Sequence, residues 1–172
     1  MKSKRTRERA VRFLRTTVAD ANHVVHSIQG GMGDYCRNPC AQCPWRVDQT
    51  GSFPAEAFRI SANTAHDMSL RTFACHMRGT DTPAACAGFL LNGAADNLAV
   101  RVKRIKGKMR DVSANGYRLH KSYRAMAVAN GVAPNDPTLA DCMPEARTRR
   151  DRERRTRTRR PQNSLAAKTK TV

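Results

Sequence analysis

Four of the six cysteines in this 172-residue chain have the spacing of metal ligands. Cys40 and Cys43 stand two residues apart in Asn38-Pro39-Cys40-Ala41-Gln42-Cys43-Pro44-Trp45-Arg46, and Cys75 and Cys86 form a looser second pair, giving C-x2-C-x31-C-x10-C. A tetrahedral Zn²⁺ site takes four such soft ligands. The short turn directs two sulfurs to one side, its backbone N–H groups face the thiolates, and the bracketing prolines lower the entropy lost on closure. Thr82-Pro83 reads as a helix N-cap followed by proline at the first helical position, which predicts Cys86 in the first turn. There the positive end of the helix dipole favours a thiolate. The expected ligands are Cys40, Cys43, Cys75 and Cys86 around Zn²⁺, with a [4Fe-4S] cluster on the same thiols as the alternative. The competing reading is core packing, because free cysteine behaves as a small apolar residue.

His76 and Cys36 are the reserve candidates. His76 adjoins Cys75, and neighbours seldom ligate one ion together, so it is a substitute ligand or a hydrogen-bond donor to a sulfur. Cys36 extends the first run to C-x3-C-x2-C, the spacing of radical S-adenosylmethionine enzymes, but the remainder of the chain has hardly any strand signal for their barrel. Cys142 stands alone and reads as a packing residue. His23 and His26 read as residues of a polar helix face.

Pro39-Cys40 through Arg46, then Phe73-Ala74-Cys75-His76, then Cys86-Ala87-Gly88-Phe89-Leu90 resemble the signature of an uncharacterised family of small cysteine-containing proteins from bacteria and their phages. The likeness spans roughly residues 36–93. It implies a domain rather than a mechanism, makes Cys40, Cys43, Cys75, Cys86 and His76 the positions to watch, and suggests a phage or bacterial origin.

Charge supplies an independent clue. The formal net charge is +18, which points to polyanionic company. It is concentrated in three segments: residues 1–15 carry seven basic and one acidic side chain, 101–124 nine and one, and 147–172 eleven and two. The intervening residues are slightly acidic. The candidate nucleic-acid contacts are Arg101, Lys103, Arg104, Lys106 and Lys108 in the internal stripe, with Arg149, Arg150, Arg154, Arg155, Arg159 and Arg160 in the tail. With one Trp, three Tyr and five Phe, the chain has few platforms for stacking bases, so contact to the nucleic-acid backbone, DNA or RNA, is expected. An acidic protein is the alternative partner. A membrane is not expected, since the basic tail lacks an apolar face to insert.

The elements expected to position these residues are mostly helical. Residues 4–28 space Val11, Leu14, Val18 and Val25 as a stripe among polar residues and predict an amphipathic helix. Helices are also expected near 54–65, across 82–107 and near 117–130, with Leu98, Val102 and Ile105 forming an apolar face opposite the cations of 101–108. A short extended segment is possible at 69–76. The fold class is therefore read as mainly α: a small single domain organised around a Cys-ligated metal site, with basic arms. Its divisions are a basic N-terminal helix over 1–29, a metal-binding domain over 30–146 and an Arg-rich disordered tail over 147–172. No phosphate loop, H-E-x-x-H or G-x-S-x-G is present, so the reading leans away from an enzyme and towards an accessory or regulatory factor. The basic N-terminus lacks an apolar signal segment, which predicts the cytoplasm, that of the host if phage-encoded.

Overall fold

A computed structural model describes residues 11–30 and 34–142. Punctuation of the sequence sets its character: Pro54, Gly79, Pro83, Gly93, Asn97, Gly107, Gly116 and Gly131 interrupt the chain every few residues, so no apolar pattern runs long enough for an extended helix. The described chain accordingly forms short pieces. Strands β1 (Arg12–Val18) and β2 (Val24–Gln29) make an antiparallel hairpin, and β3 (Asp34–Tyr35) pairs in parallel with β4 (Ala84–Ala85). Helices α1 (Ala55–Ser61), α2 (Leu98–Ile105) and α3 (Tyr123–Ala129) are seven or eight residues long. A π-helical turn at Phe89–Gly93 and four 3₁₀ turns complete the described elements.

This corrects the mainly α expectation. The expected helix over 4–28 is a hairpin wherever it is described, with Thr16 opposite His26 and Val18 opposite Val24. Its physical signals are the β-branched Thr16, Thr17, Val18, Val24 and Val25, which favour a pleated backbone, and the breaker Asp20-Ala21-Asn22 between them. Asp20 accepts from the Asn22 backbone N–H at 2.8 Å and pairs with His23 Nδ1 at 2.9 Å, locking the turn.

The second correction concerns the organising centre. Among the described residues no group of three or more His, Cys, Asp or Glu is assembled ready to hold a metal ion. The domain is built around Trp45 instead, which is fully buried with Phe73, Phe89 and Tyr123 at ring-centroid distances of 6.2, 6.2 and 6.0 Å. Phe58, Leu90, Val100, Met126 and Leu139 extend this core. Each aromatic of this size removes about 150–250 Å² from water, worth several kcal/mol.

Caps place the helices. Asn97 accepts from the Val100 N–H at 3.0 Å to start α2, and Ser122 accepts from Ala125 at 3.1 Å to start α3. Tyr123 then donates its hydroxyl to the Phe58 carbonyl at 2.6 Å, fastening α3 to α1. The apolar face expected on α2 is not packed away: Val100 is buried, but Val102 is 41% and Ile105 81% exposed.

Candidate metal centre

The smallest strand does the most to assemble the cysteines. Ala84 and Ala85 are fully buried, and their methyl side chains let two other segments approach on either side. The Cys36 N–H donates to the Ala85 carbonyl at 2.9 Å, Cys75 to the Ala84 carbonyl at 2.8 Å, and Cys86 to the Phe73 carbonyl at 2.9 Å. Three cysteines are thereby fixed around β4 through backbone bonds alone. Cys86 directly precedes the helical turn that begins at Ala87, with the Leu90 N–H donating to its carbonyl at 3.0 Å. The predicted cap at Thr82-Pro83 is displaced by the pairing of Ala84 and Ala85, so the helix starts later than expected.

Cys40 and Cys43 arrive on a separate tight turn, closed by a Cys43 N–H to Cys40 carbonyl bond of 3.2 Å. Arg46 braces it. Its Nη1 donates to the Ala41 carbonyl at 2.8 Å and the Cys40 carbonyl at 3.3 Å, its Nε donates to Asp48, and its guanidinium lies 3.7 Å from the centre of the Tyr117 ring. This role was not foreseen from sequence, although Arg46 belongs to the Cys-Pro-Trp-Arg element singled out there. Trp45 anchors the turn from within the core.

The thiols from these three segments adjoin one another. Cys43 and Cys86 sulfurs are 3.6 Å apart, and Cys40 is near enough to Cys43 and Cys75, and Cys75 to Cys36, for each to shift its neighbour's titration. The four predicted ligands thus lie in one region with Cys36 beside them, without being drawn together into a formed metal-holding group. Contact with Cys40 and then burial push the Cys75 thiol up. Cys43 is lowered by its bond to Cys40, but Cys86 and burial outweigh this and raise it to about 12. Burial and then Cys75 raise Cys36 to about 11. Thiols held this way stay neutral at physiological pH and are poor nucleophiles. A cation placed among them would bind in exchange for their protons.

The remaining candidates separate. His76 packs its ring on Phe53, centroids 5.2 Å apart, rather than donating to a sulfur. Cys142 is buried elsewhere, its thiol against the Ala62 carbonyl at 3.5 Å. Arg101, Lys103, Arg104, Lys106 and Lys108 lie on α2 and the loop after it. Arg104 donates to the Leu90 carbonyl, and Lys103 is lowered by burial and then by nearby Lys108. The ion pairs among described residues engage His23, Arg37, Arg46, Arg59 and Arg78, and none engages Arg101, Lys106, Lys108 or Arg110. Arg149, Arg150, Arg154, Arg155, Arg159 and Arg160, with the tail expected over 147–172, lie outside the described residues. None of the described helices is long and apolar enough to cross a membrane.

Neither a curated protein nor a solved structure matches the chain. A family model does match, over residues 35–143, beginning beside Cys36 and ending just past Cys142. It spans the β3–β4 pair, the cysteine turn and the aromatic core, and it reaches well beyond the stretch that carried the sequence resemblance. The chain belongs to the family of unknown function DUF6283.

Proposed function

We propose that this protein is a small non-enzymatic metal-binding module that associates with nucleic acid through its basic segments. One observation carries the metal reading: the Cys43 and Cys86 sulfurs, from stretches of chain 43 residues apart, lie 3.6 Å from each other, with Cys40 and Cys75 near enough to influence one another's titration. The donor set is all sulfur, matching a structural Zn²⁺ site. Cys40, Cys43, Cys75 and Cys86 would hold the ion, which would cross-link the 40–43 turn to the segments flanking β4. Cys36 is the substitute ligand.

The nucleic-acid reading is supported by the exposed cations Arg101, Lys106 and Lys108 of α2 and its following loop, which take part in none of the ion pairs among the described residues. Such groups bind phosphate by releasing counterions, without reading sequence.

Titration of the metal-free protein with Co²⁺ tests the metal assignment. The expected result is visible absorption of a tetrahedral thiolate complex that saturates at one equivalent, is bleached by Zn²⁺, and is weakened in Cys40→Ser. Absorption that never saturates, or that Cys40→Ser leaves unchanged, would contradict it. Iron and inorganic sulfide in anaerobically purified protein would instead assign these thiols to a [4Fe-4S] cluster.

A further inference from the structure

A groove of about 520 Å³ opens beside the C-terminal end of α2, lined by Leu90, Leu91, Ile105, Met109 and Val112 together with Arg104 and Arg110. Its volume falls in the range of sites that take small organic ligands. Buried Leu90 and Met109 lie beneath it, and its accessible apolar surface comes from half-buried Leu91 and Val112 and from Ile105, which is 81% exposed. No carboxylate lines it.

Both arginines are held by backbone. Arg104 Nη2 donates to the Leu90 carbonyl, and Arg110 donates through Nε and Nη2 to the Arg104 carbonyl at 3.3 and 3.1 Å. Guanidiniums restrained in this way lose little further entropy on meeting a ligand. Exposed Lys106 and Lys108 continue the positive charge along the adjoining loop. A fitting occupant is therefore anionic at its edge and apolar in its body. The undescribed segments of this chain do not qualify, because residues 1–10 and 143–172 are strongly basic.

We infer that this groove takes an unpaired nucleotide of single-stranded nucleic acid, with the base against Leu91, Ile105 and Val112 and the phosphate at Arg104 and Arg110. A base inside a duplex cannot reach an apolar recess, whereas one in a single strand can turn out of its stack. Arginine planes accept an aromatic face, which compensates for the lack of aromatic side chains in the lining. This inference rests on the nucleic-acid reading above and narrows it to single strands.

Fluorescence anisotropy of the full-length protein tests it, using a labelled oligothymidylate of about twelve nucleotides and a duplex of equal length. Ile105→Ser combined with Arg110→Gln changes two exposed side chains, and an unchanged melting curve confirms that the fold is kept. The double variant is expected to lose about tenfold in affinity for the single strand and only about twofold for the duplex. Arg15→Gln, which removes an exposed cation of β1 far from the groove in sequence, controls for charge alone and should affect both probes equally. Equal losses on both probes in the double variant would overturn the groove assignment while leaving the basic-segment reading standing. Displacement of the oligothymidylate by polyglutamate at equal charge concentration, unaffected by the double substitution, would likewise overturn it in favour of an acidic protein partner. Binding of neither probe by the unmodified protein would remove the nucleic-acid reading itself.

Discussion

At the scale of single residues, Trp45 decides more of the structure than any cysteine. Gly88 and Gly93 press against it so closely that an added Cβ would stand 2.3 Å from Trp45 Cβ at the first position and 2.3 Å from Trp45 Cη2 at the second. Neither glycine is required for its backbone angles; Gly88 is helical, with φ −60°. Gly88→Ala and Gly93→Ala should each therefore destabilise by about 1–3 kcal/mol through overpacking, read as a lowered urea midpoint with little change in slope. This demand was invisible in the sequence, because close approach of a ring to a backbone depends on contacts across more than forty positions of chain. The thiols were more legible. Short spacing and proline brackets marked Cys40 and Cys43, and the distant Cys75 and Cys86 follow by the arithmetic of four ligands. That Cys36 also reaches the cluster could not be read, since it depends on the pairing of two-residue strands.

Asp136 gives a pH-dependent prediction at the same scale. It accepts from the Thr138 hydroxyl and backbone N–H at 2.6 and 2.9 Å and from Arg59 Nε at 2.8 Å. These bonds, Thr138 first, lower its pKa from 3.8 to about 2. A carboxylate depressed in the folded state stabilises it fully above the unfolded pKa and loses that contribution as pH falls through the folded one. Asp136→Asn should therefore melt below the unmodified protein at pH 6, and the two curves should converge as pH falls from about 4 towards 2. A constant gap across that window would show that Asp136 acts through packing.

At the scale of elements, Asn97 joins three pieces of chain. Its side-chain oxygen caps α2, and its amide donates to the Thr64 and Arg71 carbonyls at 3.1 and 2.6 Å. Asn97→Ala removes the cap and leaves those carbonyls underserved, a loss of about 2 kcal/mol measurable by urea unfolding. Asn97→Asp keeps the cap but turns a carboxylate oxygen toward the same two carbonyls in a buried site, so it should destabilise at least as much as Asn97→Ala. Helices near 54–65 and 117–130 were legible in outline because Pro54 and Ser122 precede them and Gly131 follows, and α2 lies within the span expected for it. The hairpin was not, because Val11, Leu14, Val18 and Val25 fit a helical stripe while Asp20 and Asn22, the turn formers, were read as polar helix positions. Where two periodicities compete over a short span, a breaker at the centre is the better guide.

At the scale of the whole molecule, charge and core are separate devices. The core cluster of the described residues is apolar and rich in aromatics, and α2 with its loop carries the cations Arg101, Lys103, Arg104, Lys106 and Lys108. Association with nucleic acid should therefore be steeply salt-dependent and indifferent to sequence. Between about 50 and 200 mM salt the affinity for any given probe should fall on the order of a hundredfold or more if several phosphates are neutralised. Little change over that range, or strong preference for one sequence, would point to direct readout. The mainly α expectation failed at this scale for a reason tied to size: with helices of seven or eight residues, loops and two-residue strands must carry the long-range contacts.

The most direct test of the central claim is metal content of the full-length protein purified without oxygen or chelator, measured by elemental analysis beside Cys40→Ser and Cys142→Ser. The account predicts one zinc ion per chain, retained when the remote Cys142 is changed and lost when Cys40 is. Absence of bound metal from the unmodified protein, or zinc that survives Cys40→Ser at full occupancy, would contradict it and return the thiols to core packing.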